Sequence, residues 1–205
     1  MSKLTLFHSH NSPYVRKVTV LAQELGLADE ITHVPAAGSP LDPGTMPVAE
    51  NPLAKVPTLT RPDGGALYDS RVICRYLDAR AGGKFYPAPP RLWDALTLEA
   101  TADGILDAGL AIVYEARLRP EEIRFAPLVE GQWRRIARTL DMLEERWMAY
   151  LAGPLCIGQL SLGCALGYLD FRLPDRDWRK GRAALAAWQA RFAARDSYLS
   201  TQPPA

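Results

Sequence analysis

The sequence predicts a small α/β domain followed by an all-helical domain. Up to about Arg80, short apolar alternations typical of strands take turns with helical patterns, whereas the later part of the chain carries long helical patterns alone. Between the two lies GGKFYPAPP, in which Gly and Pro crowd and no periodicity survives. We therefore expect one domain at residues 1–80, a linker at 81–91 and a second domain at 92–205.

The first domain shows its elements in a clear order. LTLFHS predicts a strand, and PYVRKVTVLAQELGL predicts an amphipathic helix that Gly26 closes. EITHV predicts a second strand. After a long Pro- and Gly-rich connection come KVPTLT and ALYDS, and the RPDGG turn between them indicates a hairpin. SRVICRYLDARAG predicts a closing helix, so the expected order is β-α-β, a long connection, then β-β-α.

The second domain carries two long helical patterns and two shorter ones. The long ones are RLWDALTLEATADGILDAGLAIVYEARL and LVEGQWRRIARTLDMLEERWMAYLAG. GQLSLGCALGYLDFRL and GRAALAAWQARFAAR follow. No repeat of fixed period links them, which argues against a solenoid.

Composition excludes several classes of protein. The 205 residues include 24 basic and 23 acidic side chains, so the formal charge of +1 gives no long-range field for nucleic acid or an anionic membrane. No apolar run approaches the roughly 18–20 residues of a membrane span. The opening MSKLTLFHSH lacks the apolar core of a secretory signal. The 3 cysteines show no disulfide or metal-ligand spacing. We expect a cytoplasmic protein with reduced thiols and no metal.

The stretch HSHNSPYVRKVTV supports two interpretations of Ser12. Ser directly before Pro is a good N-cap, because Pro suits the first helical position. The same turn presents backbone N–H groups and the positive helix end to a ligand thiol. Lowering a thiol pKa from about 8.5 by about two units requires roughly 2.7 kcal/mol. One hydrogen bond to a charged group supplies about 1.5–3 kcal/mol, so the hydroxyl is adequate.

Two further stretches offer complementary binding groups. In AKVPTL, a cis bond before Pro57 would turn the N–H and C=O of Val56 outward, where an extended peptide can pair with them. In LYDSRVI, Ser70 is a plausible N-cap, the helix start can hold a carboxylate, and Asp69 can receive an ammonium group. Groups for a thiol, a peptide backbone, a carboxylate and an amine together describe glutathione.

With these motifs in this order, the chain resembles the cytosolic glutathione S-transferase family, in its bacterial serine-type form, over essentially its whole length. The resemblance implies a thioredoxin-like N-terminal domain that binds glutathione and an all-helical C-terminal domain that binds the second substrate. SPYVRKV resembles the turn that carries the catalytic hydroxyl, which implies a catalytic Ser12. It also resembles the C-P-Y-C turn of glutaredoxins, but Ser12 and Val15 replace both cysteines and remove dithiol chemistry.

The resemblance extends to the other two stretches and to the second domain. NPLAKVPTL would place Lys55 and Val56 against glutathione, and DSRVICRYL would place Asp69 and Ser70 at its γ-glutamyl end. At GPLCIGQL the family usually has a Ser/Thr-x-x-Asp capping box, which this chain replaces with Cys-Ile-Gly-Gln. Gln at the last position can still reach back to the cap N–H. Because Cys is a poor acceptor, we expect a helix start weaker by about 1 kcal/mol.

The favoured hypothesis is a homodimeric glutathione transferase of the detoxification type, with glutathione as co-substrate. Ser12 would stabilise the thiolate for attack on a small hydrophobic electrophile. A glutathione-dependent isomerase or dehalogenase, and a non-catalytic glutathione- or partner-binding protein, remain alternatives. Ser9, Asn11 and Tyr14 remain alternative thiol donors. His8, His10 and His33 do not have the spacing of a ligand set, and a Ser–His hydrolase lacks its diagnostic motif.

Overall fold

The computed structural model describes residues 3–204. Residue contacts divide the chain into two compact units, one up to Tyr86 together with the segment from Asp196, and one from Pro87 to Arg195. The α/β unit followed by a helical unit confirms the predicted fold class. The first unit also includes residues 81–86, predicted as part of the linker, and residues 196–204, predicted as part of the second domain.

The sheet of the first unit has four strands in the order β2-β1-β3-β4. β2 runs parallel to β1, and β3 and β4 are antiparallel to their neighbours. One face of β1 enters the core, where Leu4 and Leu6 are buried, because alternate residues of a strand point to one face. The strands are β1 (Leu4–His8), β2 (Ile31–Pro35), β3 (Thr58–Arg61) and β4 (Gly64–Leu67).

Two helices complete the predicted order of the first unit, α1 (Pro13–Glu24) and α2 (Ser70–Arg80). α1 buries an apolar stripe that includes Val18 and Leu21. Gly26, directly after the C-cap Leu25, has a φ of 70° and so supplies the left-handed turn that closes many helices. Helix α2 buries Ile73 and Leu77.

A buried carboxylate explains why the first unit extends past α2. Asp78 accepts backbone N–H bonds from Lys84, Phe85 and Tyr86 at 2.8, 2.8 and 3.2 Å. Phe85 is buried as a result. The first part of the predicted linker is therefore folded onto α2.

The second unit is built around one buried helix. Helix α6 is buried from its first residue to Leu169. A Cβ on Gly158 would lie 2.8 Å from the Leu98 Cβ atom, and one on Gly163 only 2.1 Å from Phe192, so glycine permits both close approaches. The helices of this unit are α3 (Arg91–Leu118), α4 (Ala126–Arg146), α5 (Met148–Leu151), α6 (Ile157–Arg172) and α7 (Ala183–Ala193).

A last short helix, α8 (Asp196–Leu199), belongs to the first unit. The Arg16 guanidinium of α1 lies 3.8 Å from the Tyr198 ring centroid, and its Nη2 atom donates to the Tyr198 carbonyl at 3.1 Å. Ser197 donates its hydroxyl to Glu24. The chain's late residues are thereby fixed to its first helix. Within residues 3–204, no helix combines the length and apolarity needed to cross a bilayer.

Candidate functional site

Strand register brings three separate segments to one edge of the sheet. Phe7, near the end of β1, pairs with Thr58 at the start of β3, and Leu67, at the end of β4, pairs with Leu59. The chain after β1, before β3 and after β4 therefore lies at the same edge. These segments carry the five predicted site residues, which are Ser12, Lys55, Val56, Asp69 and Ser70.

Ser12 begins α1 as its N-cap, as one interpretation of the sequence predicted. Its Oγ atom accepts the Val15 N–H at 3.3 Å, and its own N–H donates to the Ser9 carbonyl at 3.0 Å. The residue is half-buried. Because the cap bond uses the oxygen as acceptor, the hydroxyl proton stays available, and no described residue accepts it. Ser12 therefore combines a cap with an uncommitted donor.

The other candidate donors lie around the same turn. Ser9 is half-buried before the helix, Asn11 is exposed, and Tyr14 is half-buried in the first helical turn. Among the hydroxyl groups of Ser9, Ser12 and Tyr14, only that of Ser12 caps α1.

Val56 precedes a cis peptide bond to Pro57, which confirms the predicted geometry. Among the residues that the structure describes, nothing pairs with the Val56 N–H or C=O. Lys55 is exposed, and its carbonyl accepts the Thr58 hydroxyl at 2.8 Å. Backbone groups beside an ordered strand are thus free for a ligand's backbone.

Asn51 is a positioning residue that the sequence interpretation missed. It is 1% exposed, and its Nδ2 atom donates to the Lys55 carbonyl at 3.2 Å and to the Thr58 hydroxyl at 3.0 Å. Its Oδ1 atom accepts the Leu53 N–H at 3.1 Å. These bonds close the loop that holds Lys55 and Val56. An Asn that opens a loop, followed by Pro, was the available signal.

At the start of α2, the structure corrects the predicted N-cap. Asp69, not Ser70, is the cap, and its Oδ1 atom accepts the Arg71 N–H at 2.9 Å. Asp69 still has extended backbone, whereas Ser70 is the first helical residue and is buried. Both residue types cap well, and only the point at which the backbone turns helical decides between them. Asp69 remains exposed at the sheet edge.

Three imidazoles cluster beside the same turn. The ring centroid of His8 lies 4.6 Å from that of His10 and 5.1 Å from that of His33, both edge to face. Burial, followed by repulsion from the two neighbouring imidazoles, lowers the pKa of His8. Burial and His10 lower the pKa of His33. Within residues 3–204, no three His, Cys, Asp or Glu side chains are arranged to hold a metal ion.

At the start of α6, Cys156 and Gln159 form a capping box, and Gln159 makes further bonds to the preceding turn. Its Oε1 atom accepts the Cys156 N–H at 2.7 Å, as predicted, and Nε2 donates to the carbonyls of Leu151 and Gly153 at 3.2 and 3.1 Å. Tyr150 Oη and Cys156 Sγ lie 3.4 Å apart. Burial and this contact raise the pKa of Tyr150. The helix start is tied to the preceding turn through one side-chain amide.

Parts of both units match known protein families. Residues 11–80 match the N-terminal domain of glutathione S-transferases, and residues 126–191 match the C-terminal domain. The uncharacterized GST-like protein YibF of Escherichia coli (strain K12) is 31% identical over 98% of this chain and 99% of its own.

Solved structures extend the likeness. A glutathione transferase family member from Pseudomonas fluorescens Pf-5, crystallised with bound glutathione, is 43% identical and superposes with a TM-score of 0.96 over 99% of this chain and 100% of its own. A second structure from that organism, with bound S-(propanoic acid)-glutathione, is also 43% identical, with a TM-score of 0.92 over 98% and 100%. This chain belongs to the glutathione S-transferase family.

Proposed function

We propose that this protein is a glutathione transferase in which the Ser12 hydroxyl donates a hydrogen bond to the glutathione thiolate. The half-buried Ser12 hydroxyl, with its proton uncommitted at the start of α1, is the observation that carries the proposal. The bound glutathione of the Pseudomonas fluorescens relative supports the choice of co-substrate.

The charge on the sulfur is stabilised by two local features. The Ser12 O–H supplies a charge-assisted hydrogen bond, worth about 1.5–3 kcal/mol. The N-terminal end of α1 adds about 0.3–1 kcal/mol through its dipole. Together they supply about 1.8–4 kcal/mol. About 2.7 kcal/mol of this lowers a thiol pKa by about two units, which leaves most of the bound thiol as thiolate at neutral pH. No general base is required.

The remaining groups at the sheet edge suit the rest of the tripeptide. The unpaired N–H and C=O of Val56 receive the glutathione backbone as a short added strand. Lys55, exposed beside it, supplies a positive charge for a carboxylate. Asp69 faces the γ-glutamyl ammonium, and the start of α2 at Ser70 holds the adjoining carboxylate. Opposite charges at the two ends fix the direction in which glutathione binds.

The reaction follows from this placement. The thiolate attacks an electrophilic carbon, a C–S bond forms, and the electron pair of the broken bond leaves with the departing group or moves onto the adjacent carbon of an alkene. Holding the thiolate and the electrophile close together in a reactive geometry contributes the rest of the rate enhancement. The relative that binds S-(propanoic acid)-glutathione supports a small group on the sulfur, and we assign a small hydrophobic electrophile, held by the helical domain. A homodimer and a cytoplasmic location, consistent with three free thiols, complete the proposal.

The test is a titration of glutathione into the wild-type protein, Ser12→Ala and the matched control Ser9→Ala, with thiolate ultraviolet absorbance recorded against pH. We expect a bound-thiol pKa near or below 7 in wild type and Ser9→Ala, and a rise towards about 8.5 in Ser12→Ala. An unchanged pKa in Ser12→Ala would remove the assigned role and point to Ser9 if Ser9→Ala raises the pKa, and otherwise to Asn11 or Tyr14.

Two further results would replace the proposed activity. Binding without a pKa shift in any variant would indicate a glutathione-binding module. Thiolate formation with recovery of a rearranged or dehalogenated product, and no stable thioether, would indicate an isomerase or dehalogenase. Mass spectrometry of the products separates these outcomes.

A further inference from the structure

The loop that precedes β3 is held in place by buried polar side chains on either side of it. Among residues 52–56, all of which the structure describes, no side chain is buried, and Leu53 is 62% exposed. By contrast, Asn51 and Thr58 are 1% and 0% exposed. The conformation of the loop therefore depends mainly on the hydrogen bonds of these two residues.

Asn51 and Thr58 converge on one carbonyl group. The Asn51 Nδ2 atom donates to the Lys55 carbonyl at 3.2 Å, and the Thr58 hydroxyl donates to the same oxygen at 2.8 Å. Nδ2 also donates to the Thr58 Oγ1 atom at 3.0 Å, so the three groups form a closed triangle. A carbonyl oxygen that accepts bonds from two buried donors is fixed in direction.

The peptide bond between Lys55 and Val56 carries this restraint to the ligand side. A peptide unit is planar, and in its trans form the N–H points opposite to the C=O. The Lys55–Val56 bond is not among the cis peptide bonds of the described residues. Because Asn51 and Thr58 hold the Lys55 oxygen inward, the Val56 N–H points outward, where no described residue accepts it.

The backbone of Ala54 is a second and independent sign that the loop is held. Its φ of 51° lies in the left-handed region, which residues other than glycine rarely adopt. Its N–H donates to the Asn51 carbonyl at 2.9 Å, and the Leu53 N–H donates to the Asn51 Oδ1 atom at 3.1 Å. Such a backbone persists where the surrounding structure imposes it, and it is common in segments that clamp ligands. Asn51 thus imposes an unfavourable conformation directly before the Lys55–Val56 peptide.

We propose that Asn51, Thr58 and Ala54 preform the Lys55–Val56 peptide in the free protein, and that this loop sets the affinity for the glutathione backbone without changing the ionisation of its sulfur. This division of roles rests on the proposed function and deepens it. Ser12 acts on the sulfur, whereas Asn51 and Thr58 are positioning residues that act through Val56. Groups that are fixed before binding lose little conformational freedom on binding, so releasing the loop weakens the complex.

The test compares glutathione with S-methylglutathione, which keeps the peptide backbone but has no thiol to ionise. Isothermal titration calorimetry gives both Kd values for the full-length wild type and its variants. We expect Asn51→Ala to raise both Kd values about tenfold and Thr58→Val to raise them about three- to tenfold. Thr58→Ser, which keeps the hydroxyl, should stay within about twofold of wild type. So should the matched control Thr60→Val, at a half-buried threonine of the same strand.

Ionisation of the bound thiol separates positioning from general damage to the site. Thiolate absorbance recorded against pH should give the wild-type pKa of bound glutathione in Asn51→Ala. Ser12→Ala should raise that pKa and leave the Kd of S-methylglutathione within about twofold of wild type. Wild-type Kd values in Asn51→Ala, or a pKa raised as in Ser12→Ala, would overturn the division of roles alone. Failure of the wild type to bind glutathione would overturn the proposed function together with it.

Substitutions at Ala54 test the imposed backbone. Because glycine adopts a φ of 51° at no steric cost, Ala54→Gly should restore part of the affinity that Asn51→Ala loses. No recovery would remove Ala54 from the assignment. Amide hydrogen exchange in the free protein should be slower at Leu53 and Ala54 in wild type than in Asn51→Ala. Equally fast exchange in both proteins would show that the loop is not preformed. Circular dichroism establishes that each variant is folded.

Discussion

The first turns of α1 and α6 differ in how their backbone N–H groups find hydrogen-bond partners. Each helix has backbone N–H groups with no partner inside the helix. At α6 the cap residue Cys156 is buried, and Gln159 binds both the cap N–H and the carbonyls of the preceding turn. At α1 the cap Ser12 is half-buried and makes one side-chain bond of 3.3 Å. One helix start is closed by the Gln159 side chain, whereas the other keeps a hydroxyl proton that no described residue accepts.

The contrast teaches that capping a helix and binding a thiolate, the role proposed for Ser12, make different demands on the cap residue. A closed start gains stability because every polar group is satisfied internally. An open start gives up part of that stability and gains a site where a negative charge is favoured. The substitutions below test whether the two starts differ as this account requires.

The largest effect on stability is expected at Gln159. Gln159 is 2% exposed, and Gln159→Leu removes its bonds to the Cys156 N–H and to three carbonyls. Since each buried unsatisfied group costs about 1–3 kcal/mol, we expect the free energy of unfolding to fall by about 3 kcal/mol. Urea unfolding measures it, with the exposed Gln202→Leu as control. A loss below about 1 kcal/mol would show that the side chain does not close this start.

At Ser12, the larger effect should be on activity. Ser12→Ala removes a hydrogen bond to a charged sulfur, so kcat/KM should fall about 10- to 100-fold. Because Gly replaces an N-cap at a cost of only a few tenths of a kcal/mol, Ser12→Gly should lose the same activity while keeping nearly full stability. Steady-state kinetics and urea unfolding of both variants provide the comparison. If Ser12→Gly kept nearly full activity as well as nearly full stability, the role of Ser12 would be limited to capping the helix.

The start of α1 should also be the more sensitive to acid. The pKa of His8 is lowered in the fold, so the unfolded chain takes up its proton first as pH falls. The contribution is present above the unfolded pKa of about 6.5 and is lost as pH falls through the lower folded pKa. We expect the free energy of unfolding to decline as the pH falls from about 7.5, through the unfolded pKa of about 6.5, towards the lower folded pKa of His8.

Replacing one imidazole tests that origin. His10→Gln removes the repulsion that helps to lower the pKa of both His8 and His33, so its stability should depend less steeply on pH. Urea unfolding at a series of pH values measures the slope. Equal slopes in the variant and wild type would place the acid sensitivity elsewhere.

The smallest expected change is at Cys156. Cys156→Ser supplies a stronger acceptor to the first turn of α6, which should raise the free energy of unfolding by about 0.5–1 kcal/mol. The contact with Tyr150 Oη, 3.4 Å from the sulfur, can persist with a hydroxyl. Thermal unfolding compares the two proteins, and a clear loss of stability would show that sulfur packing outweighs the cap.

Local patterns predicted much of the fold and of the candidate site. The hairpin around RPDGG and the helix that begins after Ser12 depend on turn and cap chemistry within a few residues, and both are present. The cap of α2 was wrongly predicted at Ser70 instead of Asp69, because both residue types cap well and only the tertiary structure decides where the helical backbone begins. Asn51 was missed because its partners, Lys55 and Thr58, become neighbours only when the loop closes.

The boundary of the first unit could not be predicted from local sequence patterns either. Nothing near Asp78 indicates that its carboxylate binds the backbone of Lys84–Tyr86. The contact of Arg16 with the Tyr198 carbonyl spans 182 residues of sequence. Arginine and tyrosine are common surface residues, so neither predicts the other. Contacts of this kind become visible only once both ends of the chain are placed.

That last contact has a consequence for biosynthesis. The ribosome makes Arg16 early, but Tyr198 follows 182 residues later. At about 5–20 residues per second, the interval is roughly 10–40 s. Throughout it, the nascent first unit lacks the ring that covers Arg16 and the hydroxyl that binds Glu24. The first unit therefore completes its contacts only after the whole helical unit has been made.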